Sequence, residues 1–148
     1  MTTHAPLAKS IPMASITREA AIALIDASLE AAREIGIEVA VAVTDATGSL
    51  RAFERTNGAP FLTTDVAIDK AWTACSYGYP THVWNAYVAD PKVAPLAYQP
   101  RLLAVGGGYP IQEGGKLIGG IGISGGNAEQ DQKVADAALK SLGFTVPE

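Results

Sequence analysis

Several ingredients of common functional sites are scarce in this 148-residue chain. It has one cysteine, Cys75, so no internal disulfide can form and nothing in the sequence calls for an oxidising compartment. It has two histidines, His4 and His82, which excludes metal binding through several histidines, and no standard zinc spacing is present. The basic residues are scattered in a chain of net charge -4, which argues against nucleic acid or an anionic membrane as a partner.

Long apolar runs are also missing. No stretch reaches the roughly 18 residues that a membrane helix requires. Residues 1–14 lack the basic start and apolar run of a signal peptide, so we expect a cytoplasmic protein. We expect residues 1–14 to form a flexible N-terminal arm. Residues 15–148 contain no repeat or linker and are long enough for one core, which predicts a single domain.

The hydrophobic pattern predicts helices together with a β-hairpin. Alternating valine and alanine from Glu38 to Asp45, followed by a turn and residues 49–55, indicate a β-hairpin whose small alanines leave room for a closely packed helix. Thr17 is predicted to cap a first helix that ends at Gly36, and Thr63 or Thr64 to cap a second. The second helix is predicted over about residues 61–75, a third over residues 81–88 and the last over residues 128–142.

The segment from Arg101 to Leu139 alternates short apolar runs with glycine-rich bends. Leu102–Val105 and Leu117–Ser124 are predicted as strands, joined by a turn at residues 113–115. Asn127 is predicted to cap the last helix, with Gln130 completing a variant of the capping box.

The helix start at Gly125, Gly126 and Asn127 has two interpretations. Its unpaired N–H groups and positive dipole end could bind a carboxylate or phosphate. The glycines could equally serve only as turn formers. Neither phosphate-loop pattern is present, because no Gly-Lys-Ser/Thr ending occurs and Gly106–Gly108 leads into Tyr109-Pro110, which cannot open a helix as a dinucleotide fingerprint must. Nucleotide binding is therefore not expected.

The order of these motifs resembles the GlcG/HbpS-like family, a haem-degrading or haem-binding domain that also occurs as the C-terminal domain of PduO-type proteins. The blocks that carry the resemblance are residues 15–32, VAVAVTDATGSLRAFERTNGAP from Val39, DVAIDKAWTA from Asp65, GGGYPI from Gly106 and IGGIGISGGNAEQDQKVA from Ile118. The resemblance implies an α+β fold, a profilin-like antiparallel sheet with helices on its faces, usually in an oligomer. For function it implies haem binding, association with cobalamin or an unassigned role in a catabolic operon.

Aromatic side chains are concentrated in the middle of the chain. Trp72, Tyr79, Trp84 and Tyr87 are predicted to bind a flat ligand, together with Tyr109. Aromatic residues are equally typical of subunit interfaces, so an interface role stays open for them.

Two polar residues in this region are candidates for chemistry. His82 is the one histidine outside the arm and could carry a proton or, if haem binds, ligate its iron. Arg101 follows a proline-rich loop, and its guanidinium could hold a carboxylate in bidentate fashion. A solvent-facing pair with an acidic neighbour is the other interpretation of Arg101.

These candidates support two functions. The first is an oligomeric protein that binds haem or a related tetrapyrrole, with haem as its possible cofactor. The alternative is a cofactor-free hydrolase, isomerase or lyase acting on a small unsaturated or aromatic carboxylate, with His82 and Arg101 as catalytic residues. An oligomeric binding module without chemistry is a third possibility.

Overall fold

The fold is one four-stranded antiparallel sheet with helices on both faces, seen in a computed structural model that describes residues 5–147. The strand order is β2-β1-β4-β3. The elements in chain order are α1 Arg18–Glu34, β1 Ala40–Asp45, β2 Leu50–Arg55, α2 Leu62–Tyr77, α3 Thr81–Tyr87, a 3₁₀ turn Ala94–Tyr98, β3 Gly108–Glu113, β4 Lys116–Ser124 and α4 Ala128–Ser141. The predicted α+β class and the antiparallel sheet flanked by helices are confirmed. Within residues 5–147 no helix combines the length and hydrophobicity of a membrane span.

The two faces of the sheet carry side chains of different size. On β1, Val41 and Val43 face a large core shared with α1 and α4. Ala40 and Ala42 point the other way and pack against Ala67 of α2 and its neighbours. Because strand residues alternate between faces, the alternating valine and alanine of the sequence place two helices on one face and one closely packed helix on the other.

Strand β4 lets α2 approach the sheet closely because it presents glycine there. A Cβ atom at Gly120 would overlap the carbonyl oxygen of Ala71, and one at Gly122 would overlap that of Ala67. Helix backbone therefore lies directly against strand backbone, where any side chain would force the two apart.

Most predicted helix ends are confirmed. Thr17 Oγ1 accepts from Ala20 N at 3.1 Å. Asn127 and Gln130 form a capping box, each accepting a hydrogen bond from the other's backbone N–H. The predicted threonine cap of α2 is wrong, because the Thr63 hydroxyl instead donates to the Pro60 carbonyl at 2.6 Å and α2 starts without a side-chain cap.

The predicted strand at Leu102–Val105 is also wrong. These residues form no strand, because Leu103 N donates to the Thr73 hydroxyl at 2.9 Å and the Ala104 carbonyl accepts from the Asn85 side chain at 2.8 Å. The strand is β3, which contains Pro110. A proline lacks the N–H that a central strand needs, and β3 accommodates it because β3 is an edge strand of the sheet.

A buried ion pair joins α2, β4 and α4. Lys70 Nζ donates to Asp131 Oδ2 at 3.1 Å and to the Ile123 carbonyl at 2.8 Å, and both charged side chains are at most 3% exposed. The second carboxylate oxygen of Asp131 accepts from Gly126 N at 2.9 Å. Burial lowers the pKa of Lys70, while the nearby Asp131 carboxylate raises it.

We expect Asp131→Asn to destabilise the protein severely, because it leaves the Lys70 ammonium buried without its counter-charge. Breaking such a pair costs about 3–5 kcal/mol of the free energy of unfolding. Glu30→Gln is the matched control, since it breaks the exposed Glu30–Arg33 pair and should cost about 1 kcal/mol or less. Urea denaturation of both variants measures the difference, and equal losses would contradict a structural role for the buried pair.

Candidate functional site

His82 is fixed at the start of α3, against the edge strand β3. Pro80 begins the turn of α3, and the Thr81 hydroxyl accepts from Gly108 N at 2.8 Å, which ties the helix to the first residue of β3. The His82 ring then lies edge-on to the Tyr109 ring, with centroids 5.6 Å apart. The structure thus brings together two predicted site residues that are distant in sequence.

The His82 imidazole is held neutral and incompletely hydrogen-bonded. Its Nδ1 atom is buried and has no hydrogen-bond partner among residues 5–147. Burial lowers the pKa of His82 below its ordinary value of 6.5, because the charged form loses solvation. A neutral imidazole at physiological pH can accept a proton or ligate a metal.

A cavity of about 380 Å³ opens beside Tyr109. Its other lining residues all come from α4, namely Glu129, Gln132, Lys133 and Asp136. Pockets that hold small ligands measure roughly 300–1,000 Å³, so this cavity is within the size range of a binding site. The four α4 residues are absent from the predicted binding set. The detectable signal was their spacing of three and four, which places them on one face of the last helix.

Tyr109 is buried at the floor of this cavity, with 5% of its surface exposed. Burial and the nearby Asp136 carboxylate raise the pKa of its hydroxyl. A hydrogen bond with Gln132 lowers this pKa, but the effect is smaller and the pKa stays above its ordinary value. The phenol therefore stays protonated and can donate a hydrogen bond to an oxygen in the cavity.

Arg101 and Trp72 form a separate group. Arg101 Nε donates to Asp69 Oδ1 at 3.1 Å, and its guanidinium carbon lies 4.8 Å from the centre of the Trp72 ring. Arg101 has a φ of 72°, a left-handed conformation that is unfavourable for a side chain with a Cβ. The Thr73 hydroxyl holds it there by donating to the Arg101 carbonyl at 3.0 Å.

This arrangement leaves part of the Arg101 guanidinium free to bind an anion. Asp69 is the acidic neighbour expected if Arg101 forms a solvent-facing ion pair. Its carboxylate contacts Nε of Arg101 and not the two terminal nitrogens. Neither terminal nitrogen has an ion-pair partner within the part of the chain that the structure describes. The terminal nitrogens can still receive a carboxylate.

Trp84 organises the remaining predicted aromatics into what we call the aromatic cluster, which consists of Tyr77, Tyr79, Trp84 and Tyr87. The ring of Trp84 lies 5.7 Å from Tyr77, 6.2 Å from Tyr79 and 5.8 Å from Tyr87. Trp84 is 2% exposed, and its buried Nε1 has no hydrogen-bond partner among the described residues. Tyr77, absent from the predicted binding set, belongs to the cluster by stacking on Tyr79.

The N–H groups at the start of α4 are engaged within the chain. Gly126 N donates to Asp131 Oδ1 and Asn127 N to Gln130 Oε1, both at 2.9 Å. The positive φ belongs to Gly125, at 145°, and not to Gly126. This helix start therefore offers an external anion no vacant donor at Gly126 or Asn127.

Known proteins share both the sequence pattern and the fold. The family described as haem degrading protein HbpS-like matches residues 16–140. An uncharacterised 15.0 kDa protein of the dhaT-dhaS intergenic region of Citrobacter freundii is 36% identical over 134 residues, which cover 88% of this chain and 94% of that protein.

Two solved structures are similar over almost their whole length. A PduOC–haem complex superposes with a TM-score of 0.83 at 30% identity, covering 90% of this chain and 99% of that one. HbpS superposes with a TM-score of 0.86 at 31% identity, covering 95% of this chain and 99% of that one. Because the family model matches most of the chain and the superposition with HbpS covers almost all of it, this chain belongs to the HbpS-like family.

Proposed function

We propose that this protein binds haem or a related tetrapyrrole, with His82 as the axial ligand of the iron. The observation that carries the proposal is the imidazole of His82, whose neutral form is favoured by burial and which lies against Tyr109, a residue that lines the α4 cavity. Because Nδ1 is buried, Nε2 is the atom that would bind the iron. The PduOC–haem complex supports it, because that protein has the same fold. Bound haem would supply an iron centre whose reactivity depends on its axial ligand.

The other possible ligands fit iron less well. Burial raises the pKa of the Cys75 thiol, and its Sγ donates to the Asp45 carbonyl at 3.4 Å, so it provides no thiolate. The raised pKa of Tyr109 disfavours the phenolate that would bind iron. Among residues 5–147 no three His, Cys, Asp or Glu side chains gather around a common point. His4 lies outside the described residues. His82 is therefore the nitrogen ligand that the site offers.

The lining of the cavity is mixed in charge: Glu129 and Asp136 would repel the carboxylates of a tetrapyrrole, and two other lining groups would bind them. Lys133 supplies a positive charge on its lining, and the protonated Tyr109 hydroxyl supplies a donor. Arg101, with its free terminal nitrogens beside Trp72, is a second proposed carboxylate contact.

We further propose that the protein is a cytoplasmic homo-oligomer encoded in a catabolic operon. The aromatic surface supports the oligomer, and the free thiol of Cys75 fits the reducing conditions of the cytoplasm.

An enzyme acting on a small unsaturated or aromatic carboxylate is the second candidate. The observation in its favour is the contact between His82 and Tyr109, whose pKa values are displaced in opposite directions. A neutral imidazole can accept a proton while a protonated phenol donates one, which is the arrangement that general acid–base catalysis requires. Arg101 would anchor the carboxylate only of a substrate that extends from this site to the separate group of Arg101 and Trp72.

We expect added haem to give the parent protein a Soret band distinct from that of free haem. His82→Gln should shift that band and weaken affinity at least about tenfold, since it removes the iron ligand. Ala86→Gln is the matched control, because it introduces the same side chain at an exposed position of the same helix and should bind like the parent. An unchanged spectrum in His82→Gln would show that another group ligates the iron. No spectral change when haem is added to the parent would favour the second candidate function, an enzyme acting on a small carboxylate.

Haem affinity should also depend on pH through His82. A proton and iron compete for the imidazole, so affinity should be constant near neutrality and fall once the pH drops through the lowered pKa, which lies below 6.5. Titrations from about pH 7 to about pH 4 measure this, and His82→Gln should lose the dependence. A parent profile identical to that of His82→Gln would contradict the assignment.

A further inference from the structure

The N-terminal arm leaves most of the surface of three apolar side chains exposed. Leu7, Ile11 and Met13 are 84%, 83% and 63% exposed. Residues 5–14 make no backbone hydrogen bond to another described residue, so their carbonyl groups are free to accept. The arm is anchored just after this stretch, where Ile16 N donates to the Ile118 carbonyl at 2.9 Å.

The aromatic cluster is a second uncovered apolar surface. Tyr77 is 71% exposed, and Tyr79 and Tyr87 are about half exposed, at 48% and 49%. Together with Trp84 and Leu96 they surround a cavity of about 150 Å³. That volume is below the roughly 300–1,000 Å³ of pockets for small organic ligands, so it is too small for a macrocycle. It is suited to a single aliphatic side chain.

The arm and the cluster complement each other in chemistry as well as in size. The cluster offers exposed rings and tyrosine hydroxyl donors. An extended arm supplies aliphatic side chains together with unpaired carbonyl groups that accept from such hydroxyls. Pro6 and Pro12 fix their own φ and favour extended conformations in the residues before them, which reduces the entropy lost when the arm docks.

We propose that the arm of one copy of this protein docks on the aromatic cluster of a second copy, with an aliphatic arm side chain in the cavity beside Trp84. Within one chain both surfaces remain exposed, whereas a reciprocal exchange between two copies covers both arms and both clusters across one twofold axis. The inference rests on the oligomer of the proposed function and adds the surfaces that form it.

Sedimentation velocity on point variants tests the contact. Ile11→Asp on the arm and Tyr87→Asp on the cluster should each weaken self-association at least about tenfold, since each places a charge in the apolar contact. Phe61→Asp is the control, because Phe61 is 86% exposed, lies outside both surfaces and should leave association unchanged. An oligomeric parent whose arm and cluster variants keep its mass would overturn the arm contact alone, and a monomeric parent would overturn the oligomer as well.

Disulfide trapping identifies the occupant of the cluster. Ile11→Cys and Tyr87→Cys, expressed separately and mixed under mild oxidation, should form a cross-linked dimer on a non-reducing gel that neither variant forms alone, since the native Cys75 is buried. A double variant that carries both cysteines and forms the disulfide only within its own chain would show that the arm docks on its own cluster and would overturn the exchange. Haem titration of Ile11→Cys, whose substitution lies outside the predicted ligand-binding residues, should retain the Soret band of the parent, which separates this result from the haem proposal.

Discussion

The close approach of α2 to β4 is the constraint on which the rest of the molecule depends. It exists because Gly120 and Gly122 leave space for the carbonyl groups of α2, and because β1 presents alanines to the same helix. The Lys70–Asp131 pair fixes the approach by linking α2 to α4 across the end of β4. A buried charge tolerates few arrangements, since any other position would leave it without its partner.

The position of α2 determines where the candidate site forms. The helix ends at Tyr77, and Gly78 reverses the chain with a φ of 75°, so that Pro80 and Thr81 start α3 against β3. On this short helix, His82 contacts Tyr109, which lines the α4 cavity. Trp84 of the same helix contacts the tyrosine rings of the aromatic cluster. The fold thus presents a polar cavity suited to a ligand and, separately, an apolar surface suited to another protein chain.

The sequence predicted those features that depend on local chemistry. The hairpin, the small-residue face of β1 and the capping box at Asn127 follow from periodicity and short spacings. It did not predict β3, because Pro110 is compatible only with an edge strand. The sequence does not show that β3 lies at the edge of the sheet, which is known only from the strand order. Lys70 and Asp131 are 61 residues apart, and nothing local indicates that each neutralises the other. For the same reason α4 was interpreted as a capped helix rather than as one wall of a cavity.

Membership of the HbpS-like family and the environment of His82 support the proposed tetrapyrrole binding, in which this imidazole would ligate the iron. Chemical rescue tests it most directly. His82→Gly removes the ligand and leaves space for free imidazole, so haem added to this variant should give an altered Soret band that returns to the parent spectrum when imidazole is supplied. A parent-like spectrum in His82→Gly before imidazole is added would contradict the account.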